Sequence, residues 1–244
     1  MARTVMGLIF PLITFPYVSR VLGPIGIGKV NFAQSIVSYF SMIAALGIST
    51  YGIREAAKIR NDRRLLSEFV REILTINFLS TVLAYILLAA ALVFVSKLTE
   101  YRKLLIVCSA SILFATLGMD WLYTALEEFA YITGRSIVFQ IVSLVLLFVF
   151  VRTHDDYLKY AAIGVVSSVG ANICNFIHAR KYVSFAHRLG KEIKKHLRPI
   201  FTLFAMSVAV SVYTALDTTM LGFLSENEQV GFYTAATRIN KIVI

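Results

Sequence analysis

At 244 residues, with 58% hydrophobic and only 16% charged and a mean hydropathy of +0.74, this chain is too apolar for a soluble globular domain. A formal net charge of +10 would suggest nucleic acid in a soluble protein, but here the basic residues lie mostly between long apolar runs and read as topology signals. Cys108 and Cys174 both sit inside apolar runs, with no CxxC and no metal-ligand spacing, and read as small packing residues.

In chain order the apolar runs predict spans at Met1–Val18, Val30–Ile53, Ile73–Val95, Leu104–Leu126, Tyr131–Val151, Leu158–Ala179 and Ile200–Leu221, with an eighth starting near Val230. A helix rises about 1.5 Å per residue, so about 20 residues cross a hydrocarbon core of roughly 30 Å. The expected fold is an all-α, multi-span membrane bundle. The first span shows no cleavage-site pattern and further spans follow, so it does not read as a secretory signal. The chain stops at Lys241-Ile-Val-Ile, partway through the eighth span. A half-span leaves backbone groups unsatisfied in lipid, so the sequence reads as a piece of a longer protein.

The connectors alternate in charge. One set carries Arg3; then Arg54, Lys58, Arg60, Arg63, Arg64 and Arg71; then Arg135; then Arg180, Lys181, Arg188, Lys191, Lys194, Lys195 and Arg198. The other carries Arg20, Lys29, Lys97, Arg102, Lys103, Arg152 and Lys159. The positive-inside rule puts the first set, and the N-terminus, in the cytoplasm. The stretch from Arg180 to Arg198 could form an amphipathic helix on anionic lipid.

Within the first span Pro11 and Pro16 predict kinks, because an interior proline removes a helix hydrogen bond and crowds the preceding turn. Gly23-Pro-Ile-Gly-Ile-Gly-Lys29 matches GxxxxGK, but Val30 follows where Ser or Thr would hold Mg²⁺, and no strand precedes it. It reads as a tight turn in a connector of about ten residues, within the ordinary range for connections.

Polar stripes follow. Asn31, Gln34, Ser38 and Ser41 share one helical face, as do Ser168, Asn172 and Asn175, and then Ser207, Ser211, Thr214 and Thr218. Single hydroxyls suit contacts between helices, whereas amides are costlier to bury and point equally to a water-filled path. Asp120 lies beside Trp121 and Tyr123, which read as an interfacial aromatic belt, and Asp217 lies near a span end. His154-Asp-Asp156 reads as a short exposed loop without further ligands, and His178, His187 and His196 carry no site pattern.

Five segments now carry a likeness: Pro11-Leu-Ile-Thr-Phe-Pro-Tyr-Val-Ser-Arg-Val-Leu-Gly23, Asn31-Phe-Ala-Gln-Ser-Ile-Val-Ser-Tyr-Phe40, Leu46-Gly-Ile-Ser-Thr-Tyr-Gly-Ile-Arg-Glu55, Asp120-Trp-Leu-Tyr123 and Tyr213-Thr-Ala-Leu-Asp-Thr-Thr-Met-Leu-Gly222. In order and spacing the chain resembles the Wzx-type polysaccharide (O-antigen or capsule repeat unit) flippases of the MOP exporter superfamily. The resemblance covers nearly the whole chain. It implies a MATE-like transporter of two six-helix lobes, with the first lobe at 1–179, a basic inter-lobe linker at 180–199, and the start of the second lobe at 200–244. It implies an undecaprenyl-diphosphate-linked oligosaccharide as substrate, turned between leaflets of the bacterial inner membrane. Membrane lipids, a polysaccharide polymerase and chain-length proteins would be its partners. No nucleic acid, cofactor, metal or enzymatic step is expected. Arg20, Asp120 and Asp217 are the charged residues of the matching motifs.

An ionisable side chain inside a span costs at least a few kcal/mol and marks function. Arg238 falls about 12 Å into the eighth span and Lys241 one turn further on the same face. With an anionic substrate implied, the pair suits a diphosphate, Arg through its fork and Lys as a point charge. The expected substrate path is therefore Asn31, Gln34, Ser38, Asn172, Asn175, Ser211, Thr214, Arg238 and Lys241. A cation-coupled drug antiporter of the same superfamily is the nearest rival, but it should place acids deep in the first lobe. A membrane polymerase or ligase should show a sizeable outer loop for sugar chemistry, and none is predicted.

Overall fold

In the computed structural model the described residues are 2–185 and 193–243, with side chains described from residue 10 onward except at 212, 214, 239 and 241–243. Among them every regular element is helical. The long elements are α1 (Ala2–Ala45), α2 (Ile48–Lys58), α3 (Arg63–Phe94), and, after the single turn α4 (Ser96–Glu100), α5 (Arg102–Gly118) and the short α6 (Asp120–Ala125). They continue with α7 (Phe129–Phe150), α8 (Tyr157–Ala179), α9 (Ile193–Leu224) and α10 (Asn227–Val243). Five stretches among the described residues are long and apolar enough to cross a membrane. A sixth is counted if α9, bent by 53° between Ser211 and Ala215, serves as one span.

Helix α1 is too long for one straight crossing, and it is not straight. Gly23, at φ 66° and ψ 179°, is its one non-helical residue. The guanidinium of Arg238 lies 5.0 Å from the Phe15 ring and 3.5 Å from Asn31 Oδ1. A straight helix would hold residues 15 and 31 about 24 Å apart, beyond the reach of one side chain. The chain therefore folds back at Gly23 into two legs, with α10 alongside both. The expected ten-residue connector is thus a single glycine, and helix resumes at Pro24. Proline needs no amide partner at a helix start, and its φ is already helical. Helical dihedrals run through Pro11 and Pro16, and the interruption of the helix falls at Gly23.

The predicted span Leu104–Leu126 is also interrupted. Met119 takes a left-handed conformation (φ 44°), ending α5 and restarting the helix as α6. At the far end of α1, Leu46 (φ 44°) and Gly47 (φ 69°) stop the helix. The Ala44 carbonyl left over there accepts from Asn77 Nδ2 and Ser80 Oγ of α3, both at 2.6 Å.

The turns gather at two ends. At one end Tyr101 donates to Asn227 Oδ1, Lys97 donates to the Phe223 carbonyl, and Gly23 and Gly26 lie against His154. At the other, arginine-rich end, Arg60 pairs with Glu127, Tyr182 donates to Glu128, and Arg71 Nη1 donates to the Ser184 carbonyl. Three apolar clusters fill the bundle: one around Tyr51, Phe69, Trp121 and Ile200, one around Phe32, Leu105 and Val230, and one joining Val18 and Leu22 to Leu147 and Val151. Outward faces stay apolar along whole helices, as with Phe78, Leu79, Leu83 and Ile86 on α3 and Val138, Ile141, Val145 and Val149 on α7. Continuous exposed bands of this size belong against lipid.

The basic stretch does not form one helix. Residues 180–182 form a turn, 183–185 carry no regular structure, and α9 begins at Ile193; the intervening 186–192, with His187, Arg188 and Lys191, lie outside the described residues.

Candidate functional site

The break at Met119 sets Asp120 at the start of α6, where α5, α7 and α8 meet. Its Oδ1 accepts from Asn175 Nδ2 at 2.6 Å and from Arg135 Nη2 at 3.1 Å. The same Asn175 amide donates to the Gly118 carbonyl at 2.6 Å, capping the end of α5, and the Tyr123 hydroxyl donates to the Asn175 carbonyl. Arg135 also donates to the Ala171 carbonyl, and its side chain is 7% exposed against 50% for Asp120. A charge of each sign is thus present, the cation buried and the carboxylate half open. Asp120 does not rest in an interfacial aromatic belt: Trp121 and Tyr123 are 5% and 0% exposed and belong to the core.

Asp120 opens into a cavity of about 230 Å³ lined also by Ser41, Ser49, Asn77, Asn172 and Trp121. Exposed Gln34 and Ser38, then Ser41, Ala45 and Ser49, run along one side of α1 and α2 toward it. These groups donate and accept without strong net charge, a lining that suits a hydroxyl-rich ligand.

The other expected path residues are distributed more widely. Asn31 donates to the Ile27 carbonyl of its own helix and meets Arg238, which stacks on Phe15 between the two legs of α1 and α10. Ser38 donates to the Ser35 carbonyl. Asn175 is fully buried as a structural tie, while Asn172, one turn earlier, lines the cavity. Ser211 is half-buried on α9. The side chains of Thr214 and Lys241 lie outside the described residues. Arg20 is exposed one turn before the Gly23 fold, and Asp217 is exposed and accepts from the Tyr233 hydroxyl at 2.6 Å. In the His154-Asp-Asp156 turn, Asp156 is buried and structural: it accepts from the Arg152 and Thr153 amides and pairs with Lys159.

Two features escaped the sequence reading. The Arg135 partnership was not foreseen, because it joins residues 15 apart across a helix break. His196, expected to be unremarkable, is 3% exposed; its Nε2 lies 2.7 Å from Glu72 Oε2 and its Nδ1 2.7 Å from the Tyr51 hydroxyl. The available signal was Glu72, an acid at the edge of a long apolar run. Among the described residues no group of three or more His, Cys, Asp or Glu could hold a metal ion.

Two relatives bear the name "Putative O-antigen transporter": one from Escherichia coli (strain K12), 25% identical over 95% of this chain and 56% of its own length, and one from Shigella dysenteriae, 25% identical over 95% of this chain and 58% of its own. The chain spans a little over half the length of these curated relatives. No solved structure matches it. The model of one family, described as polysaccharide biosynthesis protein, matches residues 1–243, and the chain belongs to that family.

Proposed function

We propose that the intact protein is a flippase. It carries undecaprenyl-diphosphate-linked oligosaccharide repeat units from the cytoplasmic to the outer leaflet of the bacterial inner membrane. A six-helix lobe at 1–179 and a second lobe beginning near 200 alternate access to a shared path, with no nucleotide hydrolysed and no bond in the substrate changed. The N-terminus and the arginine-rich end face the cytoplasm. A polysaccharide polymerase and chain-length proteins act downstream on the same lipid-linked material.

The observation that carries this reading is the polar cavity of Asp120, Asn172, Asn77, Ser41 and Ser49 inside a bundle whose outer faces are continuously apolar. Sugar hydroxyls replace water there while the lipid tail stays in the bilayer. The names of the relatives support a polysaccharide cargo. The ion pair of Asp120 with Arg135 weighs against a cation-coupled drug antiporter, because a cation-binding carboxylate is not usefully held by a buried guanidinium. The test is complementation: the complete gene should restore surface polysaccharide to a strain lacking its own flippase. Drug efflux without surface polysaccharide would replace this reading with the antiporter.

A further inference from the structure

We propose that Tyr51, Glu72 and His196 form a proton-binding site that ties α9 to α2 and α3, so that proton occupancy biases the arrangement of the two lobes. The consequence for lobe movement rests on the alternating-access reading above; the proton site itself does not.

The geometry accepts two protonation states without moving a heavy atom. In the first, neutral His196 donates from Nε2–H to the Glu72 carboxylate and accepts the Tyr51 hydroxyl proton at Nδ1, both at 2.7 Å. The three side chains then carry one negative charge. In the second, a proton from solvent forms an N–H bond at Nδ1. The imidazolium donates at both nitrogens, the Tyr51 oxygen becomes the acceptor, and its hydrogen rotates away. The three side chains are then neutral in sum. Nothing is oxidised or reduced, and one proton is gained.

The surroundings make that proton matter. The His196 and Glu72 side chains are 4% and 7% exposed. The Phe69 ring stands edge-on to the imidazole at 5.4 Å, and Trp121 packs beyond it. The charged groups felt at Tyr51 are Arg54 and Glu55 of α2, Lys195 of α9 and Glu72 itself. Arg54 and Lys58 both pair with Glu55. Arg71, beside Glu72 on α3, is bonded to the Ser184 carbonyl, and Lys194 and Arg198 of α9 are exposed. Beside this link α9 also packs on the first bundle through apolar side chains, Leu197, Ile200 and Leu203 in one cluster with Leu46, Ile48 and Ile73. Apolar contact alone would hold α9 at any pH. A buried, titratable link makes the same contact depend on proton binding, because an imidazolium–carboxylate pair and a neutral imidazole bind the helix differently. If the two lobe arrangements open and close this link, a proton bound more tightly in one arrangement draws the protein toward it.

The test uses the full chain in lipid nanodiscs with ¹⁵N-histidine. One imidazole resonance, absent in His196→Gln, should pass from neutral to imidazolium as pH falls, and should require lower pH in Glu72→Gln. Glutamine at 196 can still donate to Glu72 and accept from Tyr51, so the variant keeps the link and loses the proton. Spin labels at Lys194→Cys and Arg64→Cys, on a Cys108→Ala, Cys174→Ser background, should report a pH-dependent distance that is lost in His196→Gln. A His196 resonance fixed in one state throughout the folded range, or a distance response unchanged in His196→Gln, overturns the proposal. If the intact protein fails to move lipid-linked oligosaccharide while the resonance still titrates, the flippase reading fails and the proton site stands.

Discussion

Asp120 shows how one residue's surroundings decide its role. Its carboxylate faces the cavity on one side and holds Arg135 and Asn175 on the other, so it both lines the cavity and ties α6, α7 and α8 together. Asp120→Ala leaves a nearly buried guanidinium without its anion. Because Asp120 is half exposed, we expect a loss of about 1–3 kcal/mol, not the larger cost of a fully buried pair. Thermal unfolding in detergent should show the lower midpoint, and an unchanged midpoint would mean that Arg135 finds another partner. Arg238 carries the second residue-level prediction. It sits between Phe15 and Asn31, where its fork can reach a diphosphate if the legs of α1 part. Arg238→Gln in the complete protein should reduce surface polysaccharide with normal membrane levels, and Lys should rescue only partly because it lacks bidentate geometry. Normal polysaccharide in an Arg238→Gln, Lys241→Gln double variant would rule this role out. Arg238, which the structure holds partly buried between Phe15 and Asn31, was legible as an ionisable residue beside apolar neighbours. The buried pairs of Arg135 and His196 were not, since partners 15 and 124 residues apart leave no local spacing signal.

At the scale of elements, apolar length marked most helices, while the interruptions at Leu46 and Met119 stayed hidden. Breaks at Met119 and Leu46 fall on ordinary apolar residues that take a left-handed backbone, which their residue type does not announce. The turn at Gly23 was legible in the Gly/Pro-rich segment Gly23–Lys29, although a single residue makes it and not a connector of about ten. At φ 66° with ψ near 180°, a side chain is strained whatever space it has, so Gly23→Ala should cost about 1–3 kcal/mol. The α1–α10 contact is tight for a different reason. A Cβ on Gly28 would lie 1.8 Å from the Asn227 carbonyl oxygen, and one on Gly231 would lie 2.1 Å from that of Pro24. Backbone cannot yield as a side chain can. Gly231→Ala should therefore push α10 off α1 and lower stability by about 1–3 kcal/mol. An unfolding midpoint equal to that of the wild type would show that the two helices separate freely.

For the whole molecule, the charge pattern and the fold concur in one respect: the connectors rich in arginine and lysine gather at one end, and the sparser set at the other. Their sidedness is the remaining step. A cysteine at Arg64 should be labelled only after membrane-permeant reagent enters the cell, and labelling from outside would reverse the orientation. The all-helical bundle was readable because bilayer thickness fixes span length; the polar cavity was readable only in part, because Asn172 and Ser41 declare their faces while Asp120 and Asn77 reach it through helix breaks and tertiary packing. Transport itself is tested most directly in sealed vesicles. The complete protein, reconstituted with undecaprenyl-diphosphate-linked oligosaccharide in the inner leaflet and no nucleotide, should make the sugar accessible to an external lectin, faster than protein-free vesicles and more slowly with Arg238→Gln. Sugar that stays inaccessible at the protein-free rate would contradict the account.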